Sequence, residues 1–213
     1  MSDESPSGSQ TSGFSRATVS ANPDVADLTR LTTARKIELM SFAIDIHSVD
    51  AKLFAALVAV REVRGDVFLL GLSHDRLTGL YRRHFLLDAV PPRPFVTIGS
   101  PEHASFVSAL NALLLAHVSE SVDLADADCL AAIIAHACLR PDHLWRDLGL
   151  TGRDDVTAML ERYFPSLIVR NTEGLRWKKF LARELALSQG LEPRPAPGCP
   201  GCEDFGFCFG SGS

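Results

Sequence analysis

Three cysteines fall within ten residues near the end of the chain, at Cys199, Cys202 and Cys208 in the stretch PAPGCPGCEDFGFCFG. The order C-x2-C-x5-C suggests convergence on one metal centre, because a two-residue gap lets two sulfurs point inward around a tight turn. Three chemistries use thiols spaced in this way. They are a structural zinc ion completed by a His or Asp, an iron-sulfur cluster, and a redox pair in which Cys199 and Cys202 oxidise reversibly. Spacing leaves all three open.

Other residues are candidates to complete a ligand set. Glu203 and Asp204 lie between the cysteines, His143 stands in PDHLW, and Cys138 closes the run LAAIIAHAC. Cys138 shares an apolar face with Leu130 and Ile134, so a buried structural thiol competes with ligation there, and Cys129 reads as structural. For His143, bonding to nearby carbonyls competes with ligation or proton relay. Arg176, Lys179 and Arg183 recur at i, i+3 and i+7 with Lys178 adjacent. That basic strip is either a solvated face or a contact for an oxyanion or an acidic partner.

The elements that must position these residues read as helices. Apolar residues recur at three- and four-residue spacing in ADLTRLTTARKIELMSFAID and DAKLFAALVAVREVRG, with Gly65 placed to end the second. Ser73 and Ser100 are expected N-caps. Between them, AVPPRPFVTIGS is expected to be a loop or an extended stretch, because its three prolines interrupt regular structure. Leu130, Ile133, Ile134, Ala137 and Cys138 mark one face of a helix starting near Asp126 and ended by Pro141. GRDDVTAMLERYF forms another helix, and the last long one is expected from Thr172 to Ser188, burying Trp177, Leu181 and Leu185. Trp145 is expected to anchor a turn in the core. The fold class is therefore mainly α. Residues 1–24, rich in Ser and Gly, read as a disordered leader, 25–190 as a single helical domain, and 191–213 as an irregular Cys-rich tail tied down by metal.

With 213 residues and 46% hydrophobic content, the chain can bury a sizeable core. A formal charge of −5 repels a phosphate backbone, which argues against nucleic acid as a partner. The longest apolar run, NALLLAHV, is too short to cross a membrane. An odd cysteine count without a secretory signal points to a reducing cytoplasm.

Several blocks follow one another in an order that resembles the NifQ family of nitrogen-fixation proteins. They are HLWRDLGL at 143–150, RYFPSL at 162–167, Arg170 with Asn171, RWKKF at 176–180, and the cysteine tail itself. The resemblance covers roughly residues 130–210. It implies a metal carrier rather than an enzyme, one that holds a molybdenum-iron-sulfur cluster and donates molybdenum for the nitrogenase iron-molybdenum cofactor. It also implies contact with the cofactor assembly scaffold and the nitrogenase iron protein, and makes molybdate the oxyanion to expect at the basic strip. The family pattern is C-x4-C-x2-C-x5-C, and here Arg194 takes the place of its first cysteine, while Ala186 stands where a further one is often found. Arginine stays protonated and has no lone pair to offer a metal. Three thiolates nevertheless suffice for a cuboidal cluster with three iron corners, whose molybdenum corner takes oxygen or nitrogen ligands or stays open.

Overall fold

A computed structural model of the chain describes residues 25–88 and 100–210. The leader expected over 1–24 and most of the proline-rich stretch expected before Ser100 lie outside those residues. Within them the fold is mainly helical, with ten α-helices and no strands. These are α1 (Val25–Ser41), α2 (Val49–Arg64), α3 (His74–His84), α4 (Pro101–Leu115), α5 (Leu124–Ala137), α6 (Leu144–Leu148), α7 (Arg153–Tyr163), α8 (Pro165–Ile168), α9 (Trp177–Ser188) and α10 (Phe205–Phe209).

Side chains set the helix starts by accepting otherwise unpaired first-turn amides. Ser48 caps α2, Ser73 caps α3 and Ser100 caps α4. Asp123 caps α5 through the amides of Ala125 and Asp126, so that helix begins slightly earlier than its apolar face alone suggests. Gly65 ends α2 in the left-handed conformation, as expected. The first helix stops at Ser41, short of the expected Asp45. Here Phe42 and Ile44 instead pair antiparallel with the end of α3, through Ile44 N–H to His84 C=O (2.9 Å) and Leu86 N–H to Phe42 C=O (2.8 Å).

Two helices form the centre. In α2, residues Phe54 to Val60 are all buried, and in α5 nearly every residue from Asp126 to Ala137 is buried. Both are rich in alanine, which lets neighbouring helices approach closely on several sides. Accordingly α1 packs on α2, α4 and α3 on α5, and α6 joins both α2 and α5. Gly149 ends α6 at φ 70°, where a Cβ would come within 2.5 Å of Val60 on α2, so glycine is required for that approach.

The last long helix starts at Trp177 rather than Thr172. The Asn171 side chain takes both backbone groups of Leu175, accepting its N–H at 2.8 Å and donating to its C=O at 3.0 Å, which closes a loop instead of a helical turn. The tail is less irregular than expected: Cys199–Gly201 forms one 3-10 turn, and α10 follows.

Asp50 at the start of α2 clamps α7, accepting from Arg162 Nε and Nη2 (2.7 and 2.6 Å) and from the Tyr163 hydroxyl (2.7 Å). The Arg162 guanidinium foremost, helped by Tyr163, holds the Asp50 carboxyl below the usual carboxylate range. A depressed folded value means that this contribution is present above the unfolded pKa of about 3.9 and is lost as pH falls through the folded value. Asp50→Asn should therefore cost about 1 kcal/mol at pH 7 after allowing for solvent screening. Urea unfolding of both proteins should show the gap closing in strongly acidic buffer.

Candidate metal centre

The tail is seated on the body by close backbone contact. The Gly198 N–H donates to the Cys138 carbonyl at 2.9 Å, and Ala196 is wholly buried. A Cβ at Gly198 would stand 1.9 Å from the Arg140 carbonyl oxygen, and one at Gly201 would stand 2.5 Å from the Pro141 ring. The turn at 138–141 is thus the seat, and the glycines let Cys199 reach it.

Buried charge fixes that seat. Lys178 is 6% exposed, and its ammonium donates to the Arg140 carbonyl (2.8 Å) and to the Asp147 carboxylate. Arg140 also binds Asp147 (3.1 Å) and the Leu69 carbonyl (3.0 Å). From α2, Arg61 donates to the Asp147 carbonyl and to Asp66 (3.0 Å). Of the two readings of the basic strip, the solvated face does not hold for Lys178, because its side chain turns inward at the first turn of α9.

Cys199, Cys202 and Cys208 line one small, open pocket together with His143, Asp204, Trp145, Trp177, Arg176, Lys178 and Lys179. Cys199 is nearly buried, and Cys202 and Cys208 are half-buried. Burial pushes the Cys199 and Cys208 thiols up, opposed by Lys178 at the first and by Lys179 and Arg176 at the second. Among the described residues, no three His, Cys, Asp or Glu side chains gather around a point that would hold a single metal ion. Soft thiolate donors beside cations fit either zinc or an anionic iron-sulfur cluster.

The remaining candidates divide. His143 faces the tail, with Nε2 at 3.3 Å from Glu203 and 3.4 Å from Asp204. Glu203 is held by Arg146 (2.8 Å), and Asp204 by Arg176 (2.9 Å). Cys138 is fully buried behind the seat rather than lining the pocket, and burial pushes its thiol up to about 12. Cys129 is buried between α3 and α5, near Arg76 and Arg83. Lys179 donates to the Cys208 carbonyl, and Arg183 is drawn away to Glu173 (2.6 Å), so the expected strip is not a continuous free patch. Trp145 is only half-buried and lines the pocket, stacked 6.4 Å from His143.

Arg153, at the start of α7, also lines the pocket, bonded to the Gly174 and Leu175 carbonyls and lying over Trp177. Asp147 is the other residue that sequence reading missed. Neither carries a spacing signal, because chain folding alone brings them to the tail. Ala186 and Arg194 line a separate groove with Phe106 and Gln189, so neither borders the thiol pocket.

Two glycines of the tail separate seat from surface. Gly198→Ala should cost about 1–3 kcal/mol through overpacking against the Arg140 backbone and should expose Cys199 to alkylation. Gly206→Ala meets nothing within 4 Å and should leave both stability and Cys199 labelling close to wild type. Thermal unfolding and thiol labelling of the two variants check this.

The sequence model of the NifQ family matches residues 51–210. A NifQ homolog of Sinorhizobium fredii is 37% identical over 142 residues, covering 67% of this chain and 61% of that protein. NifQ of Azotobacter vinelandii is 43% identical over 82 residues, covering 38% and 42%, and NifQ of Klebsiella pneumoniae is 40% identical over 85, covering 39% and 51%. The matched parts thus span between about two fifths and three fifths of those relatives. No solved structure matches the chain.

Proposed function

The chain belongs to the NifQ family, and from that membership we propose that it is a carrier, not an enzyme, that binds molybdenum with an iron-sulfur cluster and donates it for assembly of the nitrogenase iron-molybdenum cofactor. The observation that carries this reading is the meeting of all three tail cysteines in one cation-rimmed pocket. An iron-sulfur cluster held by these thiolates would supply soft sulfide ligation for molybdenum.

The chain's own residues supply the rest. Cys199, Cys202 and Cys208 would each hold one iron corner as thiolates. His143 and Asp204 border the same pocket and offer the nitrogen and oxygen donors that suit molybdenum. Lys178, Lys179, Arg176 and Arg153 offset the negative charge of thiolates and cluster, and the same charges favour entry of molybdate. Arg194 borders the other groove, which supports three thiolates as the full cysteine complement of this pocket. The recipients we propose are the cofactor assembly scaffold and the nitrogenase iron protein, met in the cytoplasm. No helix among the described residues is long and apolar enough to cross a membrane.

Protein purified without oxygen from cells supplied with iron and molybdate should be brown, with about three irons per chain and bound molybdenum. Cys202→Ala should lose the colour and most of both metals while keeping its helical circular dichroism. A colourless wild type with one zinc, or a Cys202→Ala protein with full iron and molybdenum, would contradict the proposal.

A further inference from the structure

The two sides of the thiol pocket are held by unlike forces. On the Cys199 side the grip is backbone against backbone, through the bond of Gly198 to the Cys138 carbonyl and the close approach of Gly198 and Gly201 to residues 140 and 141. Cys202 belongs to this fixed side, because its N–H bonds the Cys199 carbonyl at 2.9 Å.

Beyond Cys202 the grip changes. No residue of α10 is buried, and Phe207 is 80% exposed. The backbone amides of Phe205, Cys208 and Gly210 bond within the tail itself, to Cys202, Asp204 and Gly206. Contact with the body is made chiefly by charge. Glu203 meets Arg146 at 2.8 Å and Asp204 meets Arg176 at 2.9 Å, with His143 between them. Arg176 also covers the Phe207 ring, and Lys179 both covers Phe209 and bonds the Cys208 carbonyl. Phe205 and Phe209 rest partly buried against the core. Exposed ion pairs are weak singly and are screened by salt, unlike close-packed backbone.

We propose that residues 203–210 are a latch, closed on the body by the Glu203 and Asp204 ion pairs, that opens as a unit about Cys202 and carries Cys208 out of the pocket while Cys199 stays seated. Internal helical bonding makes the segment move together, and the fixed turn at 198–202 is its hinge. Resting on the carrier reading, the latch gives the pocket a way to load and to hand on its metal: one thiol withdraws, the mouth widens, and the remaining two stay in place. A recipient surface that competes for Arg146 and Arg176 would favour opening.

The test uses the full chain without metal and limiting N-ethylmaleimide, with labelling at each cysteine read by peptide mass spectrometry. Labelling is compared in dilute buffer and in about 1 M sodium chloride, where the screening length falls to about 3 Å. Salt should speed Cys208 by about threefold to tenfold and leave Cys199 within about twofold. The double variant Glu203→Gln, Asp204→Asn should show the fast Cys208 rate already in dilute buffer and lose the response to salt. If Cys199 and Cys208 accelerate together, the tail leaves as a whole and the latch is wrong. If neither responds to salt or to the variant, no latch exists. Because the assay needs no metal, this labelling pattern in a chain that binds no cluster would keep the latch and reject the carrier function.

Discussion

Asp147 is the buried charge on which the rest of the site depends. Its carboxylate receives Lys178 from α9 and Arg140 from the turn after α5, and its carbonyl receives Arg61 from α2. Three parts of the chain are thereby fixed to one short helix, α6. Taking such charges out of water is costly, and their mutual attraction often only offsets that cost, so the network contributes geometry more than net stability. Leaving any partner uncompensated would be far worse, which restricts the arrangement to one. The turn at 138–141 is the geometric product, and the tail sits on it.

That seat has an electrostatic consequence. In the network, Arg61, Arg140 and Lys178 face two carboxylates, Asp66 and Asp147, and Lys178 also borders the thiol pocket. The excess positive charge is buried where it is poorly screened, and Lys178 partly opposes the upward push of burial on the Cys199 thiol. A pocket of this kind favours an anionic guest. The opposite wall of the pocket is made by exposed ion pairs and half-buried rings. Firm binding on one side and weak closure on the other suits the carrier role proposed for this chain.

Much of this is legible in the sequence because it is local. Ser73, Ser100 and Gly65 mark helix ends by their own chemistry, and the apolar spacing of α2, α5 and α7 follows from one helix at a time. The three cysteines, His143 and Asp204 are also visible as types at a spacing. What stays hidden depends on long-range contacts. Lys178 reads as one more surface cation beside Arg176 and Lys179, and only the partners Asp147 and Arg140 turn it inward. The start of α9 lies later than its pattern suggests because the Asn171 amide competes with the helix for Leu175. Arg153 lies 46 residues before Cys199, and nothing in its neighbourhood announces the pocket. Glu203 and Asp204 read as spare ligands, whereas their first partners here are Arg146 and Arg176.

X-ray absorption at the molybdenum and iron edges, on protein loaded without oxygen, tests the central claim most directly: that the three tail thiols hold molybdenum within a cluster and not beside it. The expected result is molybdenum surrounded by sulfur with iron as its next neighbour, and iron with sulfur ligation throughout. Molybdenum surrounded only by oxygen would identify it as molybdate resting on the Arg176 and Lys179 charges, with no cluster involved, and would contradict the claim.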